Sequence, residues 1–261
     1  MSVYLTGTIW VVAAVLGGAL LAYLVRRYGL DEGRMKNNDA AGQAFTIVGG
    51  LHAVVVAFVL ISLFDAASTA REGSYEEARA LVGVAWAAQS LPEPARTDVP
   101  RLARDYADTV VRVEWPPLRA GGVVPDRGWR QLNDMRRALE NTDVPGENDW
   151  LTGEKREAAD QLMNIYQQRQ ARLNALRDNN VGLVVWFVLI VGSMIFVLLP
   201  NLFGGTKQIT HIIIVSTLAA TTTLLLFAIY QLQNPFAGGA RVGPDAFAQA
   251  ITRLGTIAEL S

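Results

Sequence analysis

Ala44-Phe-Thr-Ile-Val-Gly-Gly-Leu-His-Ala-Val-Val-Val-Ala-Phe-Val-Leu-Ile-Ser-Leu-Phe64 is an apolar run of 21 residues that stops at Asp65. As a helix rising 1.5 Å per residue it covers roughly 30 Å, enough to cross the hydrocarbon core of a bilayer. It carries the only ionisable side chain found well inside any apolar run of the chain, His52. On a helical wheel its residues sort into two faces. One is built of small residues, Gly42, Thr46, Gly49, Gly50, Ala53 and Ala57, whose spacing lets another helix approach closely in lipid. The other gathers Val48, His52, Val55, Val59 and Leu63, a stripe suited to the wall of a pore with an apolar constriction.

Three more apolar runs accompany it. Val3 to Val25 precedes it and ends in Arg26-Arg27 without a basic leader or a cleavage site, so it reads as a spanning helix rather than a signal peptide. Its Gly17, Gly18 and Ala22 form a patch for close helix contact. Val181 to Leu199 and His211 to Tyr230 follow far downstream, the last rich in hydroxyls at Ser216, Thr217, Thr221, Thr222 and Thr223. Together these runs explain a hydrophobic share of 51%, too high for an average soluble domain. The chain has 23 basic and 24 acidic residues, without the basic surplus that a nucleic-acid partner requires. With no cysteine, disulfides, thiolate catalysis and Cys-ligated metals are excluded; with two histidines, a multi-His metal centre is not expected.

Between the second and third runs, residues 65–180 hold 16 basic and 19 acidic side chains, the composition of a water-exposed domain rather than a loop. Ser74-Tyr-Glu-Glu77 fits a capping box after Gly73, predicting that a new helix starts there, with Leu81, Val84, Ala85, Ala88 and Leu91 on its apolar stripe. Leu91-Pro-Glu-Pro94 closes it. A second helix is expected from Asp98 to Trp115, stopped by Pro116-Pro117. A short third helix carries Trp129, Leu132, Met135 and Leu139, and a long one runs from Asp149 to Asp178. No segment alternates with a period of two, so strands are not expected. Beyond Tyr230, Pro244 and Asp245 open an amphipathic helix bearing Phe247, Ile251, Leu254 and Ile257. The fold class is thus all-α, with four transmembrane helices, two plus two, flanking a helical extramembrane domain. The divisions are 1–64, 65–180, 181–230 and a C-terminal amphipathic tail, 231–261.

Four spans put both termini and the middle domain on one side of the membrane. The hairpin turns hold Arg26, Arg27, Arg34, Lys36 and Lys207. The opposite flank holds Arg71, Arg79, Arg169, Arg172, Arg177 and Arg241. Discounting the long domain, the balance leans toward cytoplasmic hairpins.

Several stretches resemble a known family. Asn38-Asp-Ala-Ala-Gly42 with Gly49 and Ala53-Val-Val-Val-Ala-Phe-Val59 resembles the second span of the bacterial bestrophin-like membrane proteins. Leu91-Pro-Glu-Pro94, Tyr106-Ala, Glu114-Trp115-Pro116, Asn234-Pro235-Phe236 and Arg241-Val242 resemble its other landmarks. True bestrophins are pentameric anion channels whose second membrane helix lines a narrow apolar neck and whose termini and helical region are cytosolic. The resemblance therefore implies a homo-oligomer, a pentamer, in the cell membrane. It also implies passage of small inorganic ions along the second helix and a cytosolic 65–180 domain, opposite to the charge balance. The aromatic-rich neck and acidic calcium clasp of true bestrophins have no counterpart in these residues.

Other features read more simply. The hydroxyls of the fourth run suit bonds to carbonyls one turn back. Glu140, Asp143, Glu147 and Asp149 lack the spacing of a calcium loop and read as a solvated acidic loop. Glu114-Trp115-Pro116-Pro117 reads as a helix end whose Trp packs on the bundle. Gly204-Gly205-Thr206-Lys207 lacks the strand and spacing of a phosphate loop, and no nucleophile elbow or zinc-protease helix is present. The chain is expected to be neither an enzyme nor a cofactor binder. Its partners are the bilayer, further copies of itself and small inorganic ions. The alternative to a channel is a non-conducting scaffold or sensor whose helical domain binds a protein.

Overall fold

A computed structural model describes residues 3–28, 38–146, 148–178, 181–202, 207–238 and 241–259. Arg34, Lys36, Glu147 and Gly204-Gly205-Thr206 lie outside them. The described residues are helical, with no strand. In chain order the helices are α1 (Val3–Tyr28), α2 (Asn38–Gln89), α3 (Ala95–Thr109), α4 (Trp115–Ala120), α5 (Arg127–Glu140), α6 (Asp149–Asp178), α7 (Leu183–Leu198), α8 (Gln208–Leu232) and α9 (Asp245–Glu259). A π-helical segment, Val110–Glu114, joins α3 to α4. Four of these helices, α1, α2, α7 with the turn that follows it, and α8, are long and apolar enough to cross a membrane. The chain divides into two compact units: residues 1–64 with 181–233, and residues 65–180 with 234–261.

In the first unit α1 packs along α8, and glycine sets the separation. A Cβ at Gly7 would lie 2.7 Å from the Phe227 ring, and one at Gly18 would lie 3.1 Å from Ala219. Ala22 is fully buried, whereas Gly17 faces open space. α2 packs on α7 and α8 through Val56, Leu63, Leu189 and Ile229. Two of the expected hydroxyl bonds are present in α8, Thr221 to the Thr217 carbonyl (2.9 Å) and Thr222 to the Leu218 carbonyl (2.7 Å).

The second unit departs from the sequence reading in three places. No helix starts at Ser74. α2 runs unbroken for 52 residues, about 78 Å, straight through Gly73. The Ser74 hydroxyl donates to the Ala70 carbonyl one turn back, so it serves an intact helix instead of capping a new one. Pro116-Pro117 do not stop a helix either. They fall in the first turn of α4, where a missing N–H costs nothing, and the wide π turn before them absorbs the mismatch. α4 ends instead at Gly121, whose φ of 68° suits glycine alone. Finally, α9 is part of the bundle and not a free tail. Phe247, Ala250, Leu254 and Ile257 join Leu81, Val84, Tyr106, Trp115, Leu132 and Ile165 in one buried core.

Candidate functional site

On α2 the two faces read from the sequence point in directions that the sequence did not settle. The stripe proposed as a pore wall is turned toward the chain's own α7 and α8. Leu63 is buried, and Val55 and Val59 pack into the same cluster with Leu189 and Ile229. His52 sits against α7: its Nε2 lies 3.2 Å from the Ser193 hydroxyl, and a Cβ at Gly192 would come within 2.7 Å of its Nδ1. Val48, one turn earlier, is half-buried. Of the small residues, Gly49 packs under Phe196, which also stacks on Phe45 with ring centroids 5.0 Å apart. Gly42 is half-buried, and its carbonyl accepts the Thr46 hydroxyl at 2.9 Å. Thr46, Gly50, Ala53 and Ala57 face outward, and a Cβ at Gly50 would meet nothing within 4 Å. Ile47, Leu51, Val54, Phe58 and Ile61 flank them, each at least half exposed. The uncovered face of α2 is therefore the small-residue face with its apolar flank.

In the second unit, four charged side chains meet in the core. Arg172 on α6 donates from Nε and Nη2 to the two carboxylate oxygens of Glu77 on α2, at 2.8 and 3.0 Å. Its Nη2 also reaches Glu114 Oε2 at 3.1 Å, and Arg169 Nη1 reaches the same oxygen at 2.6 Å. The Tyr106 hydroxyl donates to Glu77 and accepts from Arg169 Nη1 at 3.4 Å. The side chains of both ion pairs are 0% exposed. Two guanidinium groups balance two carboxylates, which a dry interior requires. Aromatic faces cover what remains: Trp129 lies 4.6 Å from Arg169, and Trp115 and Phe247 lie 5.6 and 5.5 Å from Arg172. Gly128 closes the site, since a Cβ there would lie within 2.6 Å of Arg169 Nη1 and closer still to Glu114.

Burial, and after it the nearby Glu77 carboxylate, push the Tyr106 hydroxyl well above its ordinary pKa, so it stays a neutral donor. Burial works against the charge of Arg172, but Glu77 outweighs it and holds the guanidinium firmly protonated. The network is thus a buried lattice in which two guanidinium groups and a neutral tyrosine hydroxyl face two carboxyl groups. Its geometry ties α2, α3, α6 and the π segment together.

The sequence reading missed this network, although a signal was present. Arg169 and Arg172 continue the core stripe Leu162-Ile165 of α6 at steps of three and four residues. Glu77 falls between Ala70, Ser74, Leu81 and Val84 on the core stripe of α2, all buried. Charged residues at core positions of two different helices point to mutual pairing.

Several family landmarks lie around the network. Glu114 is in it, and Trp115 packs edge-on against Phe236, centroids 5.5 Å apart. Asn234 donates to the Leu118 carbonyl at 3.1 Å and accepts the Phe236 N–H at 2.9 Å. Compared with known families, residues 12–247 match the model of the bestrophin-like domain. The chain belongs to the bestrophin-like family. No curated protein and no solved structure matches it. As a bestrophin-like protein with four span-length helices, it is a multi-pass membrane protein.

Proposed function

We propose that this bestrophin-like protein is the subunit of a homo-oligomeric channel, a pentamer, that passes small inorganic anions through the cell membrane with its helical unit in the cytosol. The observation that carries the reading is the uncovered face of α2. Thr46, Gly50, Ala53 and Ala57 form a column of small side chains that the protomer leaves open, beside a family match over most of the chain. Several copies of α2 brought together on that face would enclose a conduit of small residues. The stripe Val48, His52, Val55, Val59 and Leu63 would then act as the seam that fixes each α2 against its own α7 and α8, not as the wall. This moves the wall from the face expected from the sequence to the opposite one.

The test is reconstitution in planar bilayers with light scattering of the purified protein. Anion currents from a pentamer are expected. Gly50→Leu and Ala57→Leu should strongly reduce them while leaving the thermal stability of the protein unchanged, because both positions face outward in the protomer. Absence of current under every voltage and anion tried, or currents indifferent to both substitutions, overturns the reading. In that event a monomer or dimer would point to a scaffold.

A further inference from the structure

In the helical unit α2 keeps one face that the rest of that unit leaves uncovered. Ser68, Glu72, Tyr75, Arg79 and Trp86 recur on it at steps of three, four and seven residues, and all five are exposed. Two of them are large aromatics: Tyr75 is 43% exposed and Trp86 61%. We propose that this face is a contact between copies of the chain, standing head to tail so that the Arg71 edge of one copy meets the Glu72 edge of the next. The inference rests on the homo-oligomer of the proposed function and not on its conducting ions.

The two edges of the face carry opposite charge. At about 100° per residue, Arg71 and Glu72 fall on either side of the line through Ser68, Tyr75 and Trp86. Asp65 and Glu76 share the Glu72 edge, at steps of seven and four residues from Glu72. On the Arg71 edge, Tyr75, Ala78 and Val82 form a cleft with Ala250 and Arg253 of α9, which adds a second exposed guanidinium. Glu76 pairs with Arg79 at 2.7 Å. Among the described residues no ion pair engages Asp65, Arg71, Glu72 or Arg253. The helix itself offers none to its two central charges. Arg71 has Ala67, Ser68, Ser74 and Tyr75 at three and four residues' distance, none of them acidic. Glu72 has the like charge of Glu76 one turn on, and accepts only the Ser68 hydroxyl at 3.2 Å. A basic edge and an acidic edge on opposite sides of one face cannot meet within one copy. A head-to-tail arrangement brings them together and repeats itself around a closed ring. Between the edges stand Tyr75 and Trp86, and tyrosine and tryptophan are among the side chains that contacts between proteins favour as anchors. The occupant that fits both the charge and the aromatic area is a second copy of this chain.

The experiment follows dissociation of the full-length oligomer in detergent by light scattering as the temperature rises, with circular dichroism on the same samples. Arg71→Glu and Glu72→Arg should each lower the dissociation temperature by several degrees, and the double reversal should restore it. Successive residues of a helix do not face each other, so the rescue reports a contact between copies. Glu72→Arg gives Glu76 an opposite charge one turn away, so its helix content should stay that of the wild type. Trp86→Ala should also lower the dissociation temperature. An oligomer indifferent to both reversals, or a double variant no better than the singles, overturns this inference and leaves the channel reading standing. A monomeric wild-type protein overturns both. Reversal and rescue in a protein that passes no current overturn the conduction reading alone.

Discussion

At the scale of single residues, the helical unit depends on a glycine that no turn requires. Gly128 sits in the first turn of α5, with Glu114 and Arg169 pressed against its Cα. Gly128→Ala should cost about 2–3 kcal/mol by overpacking a site that cannot yield without parting an ion pair, measured by denaturant unfolding. Tyr106 gives a second expectation. A tyrosine whose pKa is raised by folding stays protonated while the unfolded chain ionises, so the unfolded state binds fewer protons above pH 10. Its contribution to stability is therefore complete below pH 10 and is lost as the pH climbs toward the folded value. Absorbance titration should show that the phenolate of Tyr106 appears only with unfolding. Tyr106→Phe should leave the pre-unfolding titration amplitude unchanged. Ionisation of this residue in the folded protein, seen as a loss of amplitude in the variant, would contradict its burial.

At the scale of elements, the π segment decides where Glu114 points. The Trp115 N–H bonds back to Val110, five residues earlier, so one extra residue is accommodated in a single turn. That insertion sends Glu114 into the core. Deleting Val111 should restore a regular helix, rotate Glu114 away by about 100°, and leave two arginines facing one carboxylate. The expected result is loss of cooperative unfolding by circular dichroism, more severe than Gly128→Ala. The helices themselves were largely legible from the sequence. α6 is found from Asp149 to Asp178 as its pattern required, and the four apolar runs are helices. What was not legible was continuity. Ser74-Tyr-Glu-Glu77 and Pro116-Pro117 satisfy local rules for a start and a stop, but tertiary bonds through Glu77 and Glu114 override both. The faces of α2 were legible as two stripes. Which one the chain itself covers depends on Gly192 and Phe196, 140 or more residues away, and no periodicity carries that information.

At the scale of the whole molecule, the stretches that carry the family resemblance fall in both units, Asn38 to Val59 in the second span and the rest in the helical unit. Tyr106, Glu114, Trp115, Asn234 and Phe236 form a joint between α3, α4 and the residues after α8, and all but Asn234 are buried. The family match, over residues 12–247, takes in residues of both units. The charge lattice at the centre of that joint has one more consequence. Counterions shield charges they can approach, and at 0.15 M they do so over about 8 Å of water. Arg169, Arg172, Glu77 and Glu114 present no surface to the solution, so a rise in electrolyte from tens of millimolar to molar should leave their attraction undiminished. Brine should therefore loosen the exposed pairs, such as Arg79 with Glu76, and spare the lattice, leaving the melting temperature of this unit nearly flat across that range.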